Sequence, residues 1–262
     1  MSQHLHTPAD VDSKAHVLVT DLAETTVSDE HHHHLGRVLR LRSGDCMTVT
    51  DGKGSWRCAA LGSGWPNRAD LEWSSEVMLA VRREQLVAVG FALTKGDKPE
   101  TVVQKLAELG VDLIVPFVAE HSVAKWDLEK AAKNVARLRI IAAEALQQSR
   151  QAWLSEVSDV LSFATLAAAN LEGAKAVFAG EYGAPGRADR GGISLLSSPV
   201  RFVLIGPEGG WSNAERALLP ESVGIAPAVL RAETAAIVAG ALLVQRSTAG
   251  LVKPPLSIWP TE

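Results

Sequence analysis

The chain has 262 residues, 47% of them hydrophobic and 21% charged, with two cysteines and a formal net charge of −4. That balance allows one large or two smaller globular domains, each with a full hydrophobic core. Only two cysteines, Cys46 and Cys58, with no CxxC pair, argue against a disulfide framework and a cysteine zinc site, and the charge is not that of a uniformly basic nucleic-acid coat protein. The opening residues, MSQHLHTPADVDSKAH, lack the apolar stretch of a signal peptide, and the longest apolar run, 235–244, is too short to cross a bilayer. A cytoplasmic protein without membrane contact is expected.

The first element in chain order is a short helix over 29–39. It opens on His31, His32, His33 and His34. Four consecutive histidines splay around a helix, whereas metal ligands on one face need i, i+4 spacing. The run therefore reads as a solvated helix start, and no metal is expected. Alternating apolar runs at 46–50 and 55–60 flank Asp51-Gly52-Lys53-Gly54 and predict a β-hairpin. The text changes character across 73–84, so a mostly β domain is expected over 1–75 and a second domain over 76–262.

In the second domain, 86–94 reads as a buried strand. Pro99 suits a first helical turn, Val102, Val103, Leu106 and Leu109 follow at helical spacing, and Gly110 suits the C-terminal cap. A strand is expected at 111–118. A long helix should cover 127–150, with Leu128, Ala131, Val135, Leu138 and Ala142 on its apolar face. Further strands are expected at 176–179 and 202–205, and the run 235–244 reads as a buried helix. No solenoid repeat is present. Strands alternating with helices give an α/β fold, a mostly parallel sheet covered on both faces, with an appended β domain.

Two segments carry candidate chemistry. In the first, the strand at 202–205 runs into Gly206-Pro207-Glu208-Gly209-Gly210-Trp211, and Ser212 with Glu215 forms a capping box. Ligands of open α/β sheets bind beyond the carboxyl ends of strands, where such a loop would lie. An ordinary tight strand-to-helix turn accounts for the spacing equally well, and neither a Walker loop nor GxGxxG is present. In the second, a loop holding Ile225, Ala226, Pro227, Ala228 and Leu230 leads to Arg231, Glu233 and Thr234 at the mouth of the apolar helix. A capped, buried helix with a wet polar start is the alternative reading.

Taken together, IGPEGGWSNAE and VLRAETAAIVAGALL resemble the two C-terminal motifs of the RsmE family of ribosomal RNA methyltransferases, in the knotted SPOUT superfamily. Lys95-Gly96-Asp97-Lys98 with Gln104-Lys105-Leu106-Ala107-Glu108-Leu109-Gly110-Val111 is similar to the family's K-G-x-K…QK-x-x-ELGV stretch. Glu120-His121-Ser122 and Gln148-Ser149-Arg150 follow in order, and His34-Leu35 with the segment from Val38 to Asp45 resembles an N-terminal H-x-x-x-VLR-x-x-x-GD motif. Where the family carries Arg, this chain has His121; where it carries Gly-Pro-Arg, it has Ala226-Pro227-Ala228; a Pro near Ser155 is missing.

The resemblance implies a C-terminal SPOUT-type α/β trefoil-knot domain and an N-terminal PUA-like β-barrel domain that binds RNA. It implies S-adenosylmethionine as methyl donor, held by Leu204, Gly206, Glu208, Gly209, Gly210, Ile225, Pro227, Leu230 and Thr234. The acceptor would be N3 of a uridine in 16S ribosomal RNA of the small subunit. That nitrogen is protonated at neutral pH, so its anion needs a base or a cationic partner; Arg231 and Glu233 are the candidates. RNA phosphates would meet Arg37, Arg40 and Arg42 in the first domain and Lys95, Lys98, Lys105 and Arg150 in the second. A homodimer through the knot region is expected. Two other readings stay open: a catalytically weakened RNA- or ribosome-binding paralogue, which the residues at 226 and 228 motivate, and a small-molecule-binding α/β protein.

Overall fold

The computed structural model describes residues 7–171, 173–179, 195, 199–219 and 221–248. These fall into two compact units, one built on residues 7–82 and 146–154 and the other on 83–145 and 155–248.

The first unit holds β1 (Ala15–Leu18), α1 (Asp29–His33), β2 (Cys46–Thr50), β3 (Ser55–Leu61), β4 (Leu71–Trp73) and β5 (Met78–Leu79). The strands form one sheet in the order β1-β2-β3-β4, with β5 also paired to β3; β1 and β2 are parallel and the other pairs antiparallel. The expected hairpin is β2–β3, with Cys46 opposite Ala60 and Thr50 opposite Trp56. Its turn closes because Asp51 Oδ1 accepts from the N–H groups of Lys53 and Ser55. The expected helix over 29–39 is α1 continued by a π-helical turn, His34–Val38. Ser28 caps it by accepting from His31 N–H. Leu35, Met47, Val49, Ala59, Leu61 and Trp65 form the core beneath the sheet.

One buried polar group in this unit escaped the sequence reading. His16 in β1 lies with Nδ1 2.8 Å from Thr48 Oγ1 and Nε2 2.8 Å from the Gln151 carbonyl. A carbonyl only accepts, so Nε2 carries the proton and Nδ1 accepts from the hydroxyl, which satisfies the neutral ring at both nitrogens. Burial lowers its pKa from 6.5 to about 4, with the Arg150 charge adding to the effect and the Gln151 hydrogen bond opposing it.

The second unit contains β6 (Ala88–Ala92), α2 (Lys98–Glu108), β7 (Leu113–Val118), α3 (Leu128–Ser149, whose last turn belongs to the first unit), β8 (Glu156–Val157), β9 (Leu161–Ser162), α4 (Phe163–Ala167), β10 (Asn170–Leu171), β11 (Ala174–Ala179), β12 (Phe202–Ile205), α5 (Asn213–Leu218), β13 (Ser222–Val223) and α6 (Ala232–Thr248). The sheet runs β10-β11-β12-β6-β7-β8, with β13 also on β11 and β9 also on β7. Every pairing is parallel except β10–β11. Apolar residues alternate between its two faces. Val89, Phe91, Val203 and Ile205 join the core under α2, α3 and α6, while Ala88, Ala92, Phe202 and Leu204 join Phe117, Phe163 and Trp211 on the other side. Burial on both faces is why these strands read as continuous apolar runs.

Gly110, at a φ of +77°, ends α2 as expected. One expectation needs correction. Leu128 is 92% exposed, because it sits in the first turn of α3 ahead of the stretch where Val135, Leu138 and Ala142 reach the core. The apolar helix α6, expected to be buried in the core or against a second subunit, is buried along Ala235, Ala236, Ala239 and Leu243, while Val238, Leu242 and Val244 are partly covered, which is compatible with either. It packs closely on α2, since a Cβ on Gly240 would lie 2.5 Å from Leu106 Cδ2 and 3.2 Å from Val111 Cγ2.

The His16 pocket has a consequence for acid stability. An unfolded chain protonates this ring near pH 6.5 and the folded chain only near 4, so the first unit loses stability as pH falls through that window, by about 3 kcal/mol in all. In urea titrations, His16→Asn should flatten this limb by about 1.4 kcal/mol per pH unit; an unchanged slope would show that another group carries the acid sensitivity.

Candidate active site

All four residues of β12 are buried, so the strand delivers the following glycine loop to a fixed point at the carboxyl edge of the sheet. Gly210 N–H donates to the Pro207 carbonyl at 2.9 Å, and its φ of +72° requires glycine. Gly206 is glycine for a different reason: a Cβ there would sit 2.7 Å from the Trp211 indole. That indole lies among Phe178, Phe163 and Phe117, with ring centroids 4.2, 5.6 and 6.0 Å away. The loop therefore folds back on its own tryptophan, which is anchored in the aromatic core.

The expected capping box at α5 is present. Ser212 Oγ accepts from Glu215 N–H at 3.2 Å and Glu215 Oε2 accepts from Ser212 N–H at 2.9 Å. Glu215 is buried, and its Oε1 also accepts from Glu120 N–H at 2.8 Å. The carboxylate thus ties the segment after β7 to the glycine loop, a role the capping motif alone does not disclose. His121 follows, with Nδ1 3.1 Å from the Gly210 carbonyl and Cβ where a side chain on Gly209 would need room.

The glycine loop and the loop between β13 and α6 enclose a cavity of about 650 Å3, within the range of small-molecule sites. Gly206, Glu208, Gly209, Gly210, Ile225 and Leu230 line it, as do Ala226, Ala228 and Arg231. Leu204, Pro227, Glu233 and Thr234 stand off its wall. Leu204 turns to the opposite, aromatic face of the sheet.

Lys98 on the first turn of α2 joins two other candidate residues, Glu208 and Glu233. Its Nζ donates to Glu208 Oε1 at 2.9 Å and lies 3.5 Å from Glu233 Oε2. The Glu233 oxygen is buried, and at that distance it makes an ion pair without a well-formed hydrogen bond. The hydrogen bond to Glu208 holds Lys98 above its ordinary pKa, and the same bond holds Glu208 below the usual carboxylate value. Arg231 at the cavity rim is exposed, and no carboxylate pairs with it among the described residues.

The remaining basic candidates are distributed. Arg37, Arg40 and Arg42 lie exposed on one short stretch of the first unit, with Arg40 at a φ of +54°. Arg150 belongs to that unit too, and its guanidinium donates to the carbonyls of Val11 and Ser13. Lys105 pairs with Glu108 at 2.8 Å, whereas Lys95 is exposed. No group of three or more metal-ligating side chains is present among the described residues, and no helix among them is long and apolar enough to cross a membrane.

A mostly parallel sheet covered by helices, with a glycine-loop cavity at its carboxyl edge, makes this an α/β protein with a cavity of ligand size. Residues 82–244 match the RNA methyltransferase domain family. The chain is 33% identical over 231 residues to the ribosomal RNA small subunit methyltransferase E of Bacillus subtilis, an alignment covering 82% of this chain and 87% of that protein. Among solved structures, ribosomal RNA small subunit methyltransferase E from Neisseria gonorrhoeae, bound to S-adenosyl methionine, superposes with a TM-score of 0.73 at 26% identity over 87% of this chain and 95% of its own. A methyltransferase from Legionella pneumophila in complex with the same cofactor gives 0.73 and 26% over 93% and 100%. The chain belongs to the RNA methyltransferase domain family, in its ribosomal RNA small subunit methyltransferase E branch.

The Lys98 cluster predicts a pH signature. Because the folded pKa of Glu208 is depressed, its pairing stabilises the fold fully above the ordinary value of 4.5 and is lost as pH falls through the lower folded value. Lys98→Met should therefore melt below the wild type at pH 7, and the gap should narrow as pH drops below 4.5. A gap independent of pH would assign the loss to packing of the lysine stem.

Proposed function

We propose that this chain transfers the methyl group of S-adenosylmethionine to N3 of a uridine in the 16S ribosomal RNA of the small subunit. The observation that carries this reading is the cavity between the glycine loop and the α6 entry loop, in a family whose solved members hold that donor. Its lining suits the molecule: apolar Ile205, Ile225 and Leu230 suit an adenine ring, and the backbone of Gly209 is exposed to polar contact. When bound, the donor supplies an electrophilic methyl on a sulfonium, so no metal is required.

The uridine N3 must lose its proton, and the residues at hand favour stabilising the anion over strong general-base chemistry. Lys98 is held protonated by its carboxylate partners, and Glu208 is made a weaker base by the same bond. Arg231 is the cation free to face a uridine carbonyl or N3 as charge develops. Glu233 acts through Lys98, as a positioning residue.

In this reading the first unit, on 7–82 and 146–154, is a PUA-like β-barrel domain that binds RNA through Arg37, Arg40 and Arg42, and the second unit is a SPOUT domain whose C-terminal part closes a trefoil knot. The partly covered side of α6 supports a homodimer through that region. The protein acts in the cytoplasm, where its ribosomal substrate is.

Calorimetry with S-adenosylmethionine tests the donor site. Ala226→Trp, which places an indole in the cavity, should weaken binding at least about tenfold. Arg231→Ala should leave donor affinity within about twofold and lower methyl transfer to small ribosomal subunits by about 100-fold, with the product mapped to uridine N3 by nucleoside mass spectrometry. A wild type that binds no donor, with or without RNA, would instead favour the non-catalytic ribosome-binding reading that Ala226 and Ala228 motivate.

A further inference from the structure

A second groove of about 510 Å3 opens beside the donor cavity's neighbouring strand, between the segment after β6 and the start of α3. Its walls carry Lys95, Lys125, Lys130 and Arg137, with half-buried Trp126 among them. Glu100 is the one carboxylate on the lining, and Arg137 faces it at 3.8 Å. No carboxylate pairs with Lys95, Lys125 or Lys130 among the described residues; the nearby Asp127 carboxylate is engaged by the N–H of Lys130. Thr94, on the lining and only 5% exposed, holds a buried hydroxyl with no hydrogen-bond partner. The 11-residue helix α2 starts at the same place, and its N-cap residue Asp97 makes no side-chain cap bond, which leaves the first-turn N–H groups uncapped.

Unpaired cations, an aromatic wall, an unmet hydroxyl and an uncapped helix start together suit a sugar–phosphate with its base. They do not suit an apolar ligand. We propose that this groove holds one nucleotide of the RNA strand flanking the target uridine, with the phosphate on Lys95, Lys125 and Lys130, a sugar–phosphate oxygen on the Thr94 hydroxyl and the base against Trp126. This rests on the function proposed above. The chemistry of that reaction calls for such a grip, because N3 lies on the pairing edge and is reached only when the base leaves its helix. The placement fits as well. β6 is the direct neighbour of β12, and the segment 94–97 that borders the groove leads into Lys98, which is paired to Glu208 of the donor cavity.

The test is the full chain carrying Lys125→Ala and Lys130→Ala, two exposed positions outside the donor cavity. Three readouts are needed: anisotropy of a fluorescein-labelled single-stranded oligouridine across a salt series, calorimetry with S-adenosylmethionine, and KM for small ribosomal subunits in methyl transfer. We expect strand affinity to fall about tenfold and the log–log salt slope to shrink by about 1.4, with donor affinity unchanged and KM raised. Strand affinity, salt slope and KM equal to the wild type would overturn the groove. Uridine monophosphate binding there in a lysine-dependent way, with strand binding indifferent to the lysines, would assign it to a free nucleotide and overturn it likewise. A wild type that neither binds donor nor methylates, yet loses oligouridine with the two lysines, would remove the proposed reaction and leave the groove standing.

Discussion

Trp211 occupies the space that any residue other than glycine would need at position 206, and its ring is held among three phenylalanines drawn from β7, α4 and β11. The glycine loop is therefore positioned by the aromatic face of the sheet, while its opposite side bounds the cavity. Rings of this size bury large apolar areas and have few rotamers, so they fix a loop at small entropic cost. Glu215 extends the same anchorage, since one carboxylate satisfies both the start of α5 and the backbone after β7. The site's geometry thus follows from burial on the face that carries no chemistry.

Charge is arranged on top of that anchored frame. Lys98 stands between a carboxylate on the glycine loop and one at the start of α6, so the two walls of the cavity are tied to a single ammonium on α2. An isolated exposed pair would contribute little. Here one side chain serves two loops, so its ordering cost is shared. Among the described residues, no carboxylate pairs with Arg231 or with Lys95, Lys125 and Lys130 of the neighbouring groove, so this part of the second unit carries local positive charge in a chain of net charge −4.

Much of the second unit was legible from local text. The strand at 202–205, the cap at Gly110 and the box at Ser212 and Glu215 each announce themselves through burial period or capping chemistry, and the structure has all three. What stayed hidden depends on partners distant in sequence. Nothing near Gly206 says that its missing Cβ makes room for an indole, although a tryptophan five residues on was a usable signal. The dual bond of Glu215, the pairing of Lys98 and the return of residues 146–154 to the first unit are long-range facts of the same kind. The histidine run reads as a solvated helix start, and no local pattern marks the solitary His16, whose burial lowers its pKa to about 4. Leu128 misled because a period count does not reveal where a helix first meets its sheet.

The close crossing of α2 and α6 binds two positions into one unit of change. A side chain at Gly240 would have to displace Leu106 and press on Val111, because the gap between the helices is already filled. A side chain added at 240 alone would push α6 away from α2, whereas a smaller residue at 106 alone would leave a void between them. Variation that reaches this pair should therefore arrive as a compensated double substitution, small-for-large at 106 alongside large-for-small at 240.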